Sequence, residues 1–421
     1  METYAMALSY AIPGFVVLVV IESIAATLMG RSINKGMDTI SSLSSGMTNT
    51  LKSLLGLSII ILSYDWMVNQ WAIFQIESTF LLYVLAFIGI DFASYWSHRF
   101  NHVINVFWNR HIVHHSSEEF NLSCALRQSI SGIVEVYFFL YIPMAIIGIP
   151  TNVIAIVAPL HLFAQFWYHT RLIDKMGMLE HIIVTPSHHR VHHAINEEYI
   201  DKNLSAIFII WDKLFGTFQE ELEEVPPVYG TLKPVRTWNP IVINFMHLWQ
   251  LIKDAWRTKN WWDKARIWFM PTGWRPSDVK EQYPLEIVQD VYNRPKYDTD
   301  PSSGLTVWSW FQLLFHLALM YYALISFGKF EYFDIVLYLG FLFVSIFAYT
   351  SLMDGHFIAL VFEVIKLAFG LYLLQTMNGW YGLDVLFAGT TIVMIGYLLL
   401  SVIATIYFLY LEKRVVANWS I

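Results

Sequence analysis

The chain has 421 residues, of which 56% are hydrophobic, 17% aromatic and only 14% charged. So few charged side chains cannot cover a water-soluble globule of this length, and several stretches of roughly 18 or more residues are nearly free of charge, the length a helix needs to cross a bilayer. A formal net charge of −7 without a basic block argues against nucleic acid as a partner, and the single cysteine, Cys124, excludes an internal disulfide while leaving the redox compartment open.

The first apolar stretch, from about Ile12 to Leu28, carries Glu22 and is followed by many more, so it reads as a retained helix and not as a signal peptide. A polar link from Arg31 to Asn49 leads to apolar runs from about Leu51 to Met67 and from about Phe80 to Trp96, the second ending beside His98. A histidine-rich polar stretch fills His98 to Arg127. From Ile133 to Phe166 the chain is apolar but broken by Pro143, by Gly148-Ile149-Pro150 and by Pro159, the pattern of two short helices or a re-entrant hairpin.

Between Arg171 and Pro301 charges become frequent, and Trp238, Trp261, Trp262, Trp268 and Trp274 punctuate the segment. Tryptophan mixed with lysine and arginine fits helices in the headgroup region, although a folded polar domain explains the same letters nearly as well. Apolar runs return near Leu305 to Phe327, Phe333 to Leu352, Phe357 to Leu374 and Leu383 to Leu411, giving about four more spans. Lysine and arginine concentrate between Arg171 and Lys296, and Lys413 and Arg414 follow the last run. The positive-inside rule therefore puts this face, and the histidines with it, on the cytoplasmic side. There is no repeat of fixed period.

Three histidine clusters carry the chemistry: His98 with His102, then His111, His114 and His115, then His189, His192 and His193 beside His188. Residues three or four apart share one helical face, so each cluster aims its rings at a common point. Neutral imidazole suits iron, zinc, copper or nickel, and eight rings exceed what one four-coordinate ion takes, which makes a dinuclear site the economical reading. The HExxH pattern of a zinc protease is absent. A lone histidine such as His247, His316 or His356 reads as an ordinary core or interface residue. Eight clustered ones do not, because each buried imidazole needs a partner. Asp91, seven residues before His98 on the same helical face, is the best-motivated acceptor for a ring N–H, with Glu118, Glu119 and Glu180 as further candidates and a solvated surface charge the bland reading of Glu119.

The order HRFNH, HIVHH and HRVHH resembles the fatty acid hydroxylase and sterol desaturase superfamily of membrane di-iron oxygenases. The flanking words HIVHHSSEEFN, ALRQS, QFWYHT, TPSHHRVHH, DKN and IIWDKLFGTF resemble its alkylglycerol monooxygenase branch most, densely from Asp91 to Phe218. The resemblance implies that His98, His102, His111, His114, His115, His189, His192 and His193 ligate iron, with His169 as a ninth. Relatives often carry a further histidine pair here, where this chain has Gln165 four residues before His169 and His161 one more turn back. His181 and His188 are left without a role.

The expected architecture is an all-α polytopic transmembrane helical bundle with a cytosolic, histidine-rich di-iron cap. Its parts are N-terminal membrane helices over 1–70, a catalytic domain over 71–220, an interfacial segment over 221–303 and C-terminal membrane helices over 304–421. The implied reaction hydroxylates a lipid with dioxygen, cleaving the ether bond of an alkylglycerol to an aldehyde and glycerol, with tetrahydrobiopterin as reductant. A fatty acid or sterol hydroxylase or desaturase, fed by a redox protein, is the neighbouring reading. A membrane metal transporter or sensor is the reading from another class; it predicts ionisable residues lining several spans, whereas Glu22, Asp334, Glu363 and Lys366 are scattered.

Overall fold

The computed structural model describes residues 2–412, so Lys413 and Arg414 lie outside the described residues. Among the described residues, six helices are long and apolar enough to cross a membrane: Tyr4–Leu28, Phe80–Val103, Ser303–Ile325, Tyr332–Met353, Ile358–Thr376 and Thr390–Leu411. The last begins seven residues later than Leu383, because Gly389 takes a left-handed φ of 87° at its N-cap and separates it from the short turn Leu383–Leu386.

In chain order the first helix is α1 (Glu2–Leu28), followed by α2 (Gly36–Leu54) and α3 (Tyr64–Trp71). The stretch 31–49 is therefore not a link. Most of it is α2, whose Ser41, Ser42, Ser44, Ser45 and Thr48 are at most 1% exposed. Its hydroxyls satisfy themselves: Ser44 Oγ donates to Ile40 O at 2.6 Å, Thr50 Oγ1 to Gly46 O at 3.1 Å and Ser41 Oγ to Trp238 O at 2.7 Å. The apolar run 51–67 is not one helix either. Gly56, at φ 64°, lets the chain leave α2 after Leu54, and Ile59–Ile60 pair as a two-residue parallel strand with Val134–Glu135.

Helix α4 (Phe80–Val103) is capped by Thr79, whose hydroxyl accepts from Leu82 N at 3.3 Å. Its 24 residues span about 36 Å. That exceeds the roughly 30 Å of hydrocarbon, so a helix of this length has turns to spare beyond the membrane core; His98 and His102 lie in its last two turns. Short helices α5 (Asn105–Trp108) and α6 (Ile112–His115) follow. The proline-broken stretch folds as two short apolar helices, α7 (Ile142–Ile147) and α8 (Thr151–Phe163), of which α8 packs on α4 and α7 on α3. Between them Gly148 sits at φ 93° with its α-carbon against Phe74 O, where a β-carbon would come within 2.0 Å.

The extramembrane segment contributes α9 (Pro186–His193), α10 (Ile210–Phe215) and α11 (Pro240–Arg257), then α12 (Trp261–Arg266) and α13 (Ser277–Gln282). The C-terminal bundle consists of α14 (Ser303–Ile325), α15 (Tyr332–Met353) and α16 (Ile358–Thr376), with α17 (Leu383–Leu386) leading into α18 (Thr390–Ile406). Helix α15 packs on α14 and α16, and α16 on α18, around a core that includes Tyr338, Phe341, Tyr349 and Trp380. Helix α2 packs on α14, α15 and α11 as well as on the turn Cys124–Leu126, so it lies between this bundle and the histidine region. Glu363 and Lys366 are not scattered: they form a fully buried ion pair at 2.7 Å inside the bundle.

Candidate metal centre

The histidines stand on four elements that meet at the C-terminal end of α4. His98 and His102 occupy its last turns, His111, His114 and His115 lie at and in α6, His169 follows α8, and His189, His192 and His193 share α9. Helix α9 starts where it does because Thr185 and His188 form a reciprocal capping box and Pro186 fills the first turn. His188 spends its Nδ1 there and joins no cluster, and His181 is exposed on the surface.

The rings converge into two groups, each with ligand atoms within 4.8 Å of one another: His98, His102, His111, His115 and His192 in one, and His114, His169, His189 and His193 in the other. Within them bare nitrogens face each other. His98 Nε2 and His111 Nε2 are 2.8 Å apart, His169 Nε2 and His189 Nε2 2.8 Å, and His193 Nε2 lies 3.1 Å from both His114 Nε2 and His189 Nε2. Nitrogens bonded at about 2.1 Å to one ion sit roughly 3 Å from their neighbours, so these spacings fit an ion at the middle of each group. Among the described residues, His102 Nε2, His115 Nε2, His192 Nε2 and His189 Nδ1 are buried with no hydrogen-bond partner. Orphaned nitrogens at this density are costly without something to bind.

Four of the nine outer nitrogens are fixed by carbonyls. His98 Nδ1 donates to Leu204 O at 2.7 Å, His192 Nδ1 to Lys202 O at 3.0 Å, His114 Nδ1 to Arg127 O at 3.3 Å and His169 Nδ1 to Phe166 O at 3.2 Å. A fifth, His102 Nδ1, meets Asp201 Oδ1 at 3.1 Å. These bonds leave Nε2 free to face the centre. Burial, reinforced by neighbouring imidazoles, holds His111, His115, His169, His189, His192 and His193 well below the ordinary histidine range and lowers His114 to about 3. All seven rings are thus neutral near pH 7, the form that binds a cation. Phe120 lies 5.2 Å from His193, Tyr168 4.4 Å from His189 and Trp108 5.5 Å from His115, so aromatic rings wall the site.

None of the four carboxylates expected to hold a ligand ring does so. Asp91 instead accepts from His161 Nε2 at 2.7 Å, Ile207 N at 2.9 Å, Phe208 N at 3.0 Å and Trp211 Nε1 at 2.9 Å. It acts one step away, tying down the loop that presents the Leu204 carbonyl. Glu118 pairs with Arg294, Glu119 with Arg171 and Lys296, and Glu180 takes Met176 N and Thr185 Oγ1. Sequence reasoning missed Asp201, Leu204 and Asp212. The available signal was the word Asp201-Lys202-Asn203, in which Asp201 and Asn203 adopt φ of 56° and 51°, a turn that short polar side chains tolerate. Asp212 Oδ1 and Oδ2 accept from Leu204 N and Ser205 N at 2.7 and 2.8 Å and complete that turn.

A family model described as fatty acid hydroxylase matches residues 83–217, the stretch that carries all nine histidines. The chain is 37% identical over 311 residues to human alkylglycerol monooxygenase, covering 73% of this chain and 69% of that protein. It is 35% identical over 308 residues to the Xenopus tropicalis enzyme of the same name, covering 72% and 68%. The chain belongs to the alkylglycerol monooxygenase family. An ornithine lipid hydroxylase from Rhizobium tropici is a more distant relative, 27% identical over 151 residues, covering 36% of this chain and 44% of that one. No solved structure matches. As a family member with six apolar helices, the chain is an oxidoreductase and a multi-pass membrane lipid monooxygenase, and its histidine clusters suit the iron of that family.

A cavity of about 560 Å³ opens onto both groups, lined by His98 and His111 of the first and by His114, His169 and His189 of the second. Its wall is apolar along α1 and becomes polar at Asn49, Lys52, Asn101 and Arg110.

Proposed function

We propose that this family member hydroxylates the carbon attached to the ether oxygen of a 1-O-alkylglycerol. The observation that carries this reading is one cavity that touches both histidine groups and changes along its length from an apolar to a polar wall. That is the profile of a single amphiphilic chain with its oxygen-bearing head at the polar end.

The five-histidine group would hold one iron and the four-histidine group the other. When bound, the iron pair supplies activation of dioxygen and insertion of one oxygen atom into a C–H bond. Two electrons and two protons reduce the second oxygen atom to water. The electrons are assigned to a reduced pterin, tetrahydrobiopterin. The hydroxylated carbon is a hemiacetal, which breaks its bond to the ether oxygen and releases a fatty aldehyde and glycerol.

The protein's part is positional. Carbonyls of Leu204, Lys202, Arg127 and Phe166 lock the imidazoles in the tautomer that turns Nε2 inward. Phe120, Tyr168 and Trp108 keep water from the oxidising site. The histidine end is assigned to the cytoplasmic face, because the lysine- and arginine-rich segment from Arg171 to Lys296 carries His189, His192 and His193 and pairs through Arg294 and Lys296 with Glu118 and Glu119, just after His115.

The test supplies the purified protein with a 1-O-alkylglycerol, dioxygen and reduced tetrahydrobiopterin, alongside metal analysis. Fatty aldehyde is the expected product, with two irons per chain. Hydroxylation of a fatty acid or sterol without aldehyde release would overturn the substrate, and a single bound ion would overturn the pairing.

A further inference from the structure

Helix α1 lies outside the segment that carries the histidines, and most of it faces outward: Val17, Val20, Ile21 and Ile24 are each more than half exposed, as lipid-facing residues would be. A second face behaves differently. Tyr4, Leu8, Ile12, Phe15 and Val16 all line the cavity that touches the histidine groups. Their spacing of four, four, three and one is a single stripe along a helix, running about 18 Å from Tyr4 to Val16.

The stripe has a direction. Near its inner end the Phe15 ring packs 4.7 Å from Phe166, three residues before His169. About two turns further on, Glu22 Oε1 accepts from Thr170 Oγ1 at 2.6 Å and Glu22 Oε2 from Leu122 N at 2.7 Å, anchoring α1 to the histidine region. From Val16 back to Tyr4 the helix therefore leads away from the histidines. Opposite it, Leu317 and Met320 of α14 and Leu43 and Met47 of α2 complete an apolar wall.

We infer that this face of α1 is the ruler for the substrate's alkyl chain: the chain extends from the histidine groups along Phe15, Ile12 and Leu8 toward Tyr4, and these side chains set the length accepted. The inference rests on the reading of the site as a lipid monooxygenase. A lipid already dissolved in a bilayer gains little by moving its methylenes into another apolar space. Length selection must then come from the steric end of the tunnel, where overpacking costs about tenfold or more in affinity. A larger side chain on the stripe shortens the space, and Ile12, about 6 Å nearer the histidines than Leu8, shortens it more.

The experiment compares the full-length protein with Leu8→Trp, Ile12→Trp, Leu8→Ala and, on the outward face, Ile24→Trp. Each is given an equimolar series of 1-O-alkylglycerols from decyl to eicosyl, with dioxygen and reduced tetrahydrobiopterin, and the aldehydes are resolved by length. Leu8→Trp should lose at least about tenfold on the longest homologues relative to the shortest, Ile12→Trp should cut further, Leu8→Ala should extend the range, and Ile24→Trp should match the parent. In parallel, without oxygen or reductant, the thermal midpoint of each protein is read against the same series, since any ligand of the folded state raises it. A length limit that moves in this second assay while no aldehyde forms in the first supports the ruler and defeats the reaction assigned above. An identical length profile in the parent and all three stripe variants, in both assays, overturns the ruler.

Discussion

Two buried polar clusters of this chain differ in how their polar atoms find partners. Inside the C-terminal bundle, Lys366 Nζ meets Glu363 Oε2 at 2.7 Å, Ser401 Oγ at 2.7 Å and Tyr397 OH at 3.2 Å. Gln312 donates to Ser401 Oγ and accepts from Tyr397 OH, while His316 reaches Gln312 O through Nδ1 and Tyr397 OH through Nε2. Among the described residues of that network only Glu363 Oε1 lacks a partner. In the histidine region four buried nitrogens lack one and the others crowd against like nitrogens. The first cluster closes on itself, as polar groups must where no water can help; the second leaves buried nitrogens open in groups able to hold a metal ion. A buried histidine is therefore informative through what its nitrogens fail to find. His316 and His115 are both buried but carry opposite meanings.

The largest expected effect breaks the contrast at its open end. His114→Ala should abolish aldehyde formation, by more than about a hundredfold, and lower bound iron while membrane insertion is unchanged. Metal analysis beside a product assay checks it, and a fully active variant removes His114 from the site. The closed cluster should respond in stability alone. Lys366→Met strands the Glu363 carboxylate and should cost about 3–5 kcal/mol in denaturation, whereas Glu363→Gln combined with Lys366→Met should recover most of the loss. Iron content should hold in both, and its loss would erase the distinction between the two clusters.

Asp38 tests the seam between them. It holds Arg127 at 2.9 Å and accepts from Ser117 Oγ at 2.7 Å, and the Arg127 carbonyl takes the Nδ1–H of His114. Asp38→Asn should cost about 1–3 kcal/mol and lower iron content less than His114→Ala does. Unchanged iron would confine Asp38 to stability. The smallest effect belongs to His247 on α11, which burial lowers to about 4 and whose Nε2 donates to Asn105 O at 2.8 Å. The unfolded chain binds this proton below about pH 6.5 and the folded one only below 4. The contribution is therefore present in full above 6.5 and is lost as the pH falls toward 4. His247→Gln should flatten the pH dependence of stability in that window by up to about 1.4 kcal/mol per unit, with no change in iron at pH 7.

The membrane spans were legible because length and apolarity alone define them. The C-terminal runs became α14, α15 and α16 within a few residues and α18 with its start seven residues late, and the prolines between Ile133 and Phe166 marked α7 and α8. Helix α2 was not legible: a run of serine and threonine reads as a link unless one knows that Trp238 and Tyr349 stand ready to receive its hydroxyls. At the site, helical spacing picked out eight of the nine converging histidines and a flanking word the ninth, His169, since side chains three or four apart share a helical face. What orients the rings did not show, because backbone carbonyls carry no sequence signature and Asp201 reaches His102 across 99 residues.

Helix α2 also limits how far the enzyme can be pared down. One side of it braces Arg127 behind His114, another meets Tyr349 through Ser44 Oγ at 2.5 Å, and a third forms part of the cavity wall. An engineer who excised the histidine-bearing segment as a minimal catalyst would strip this helix of its C-terminal neighbours and expose a row of serines to oil. The reactive portion and the seemingly inert tail are thus one inseparable unit, joined through a helix whose buried residues are half serine and threonine.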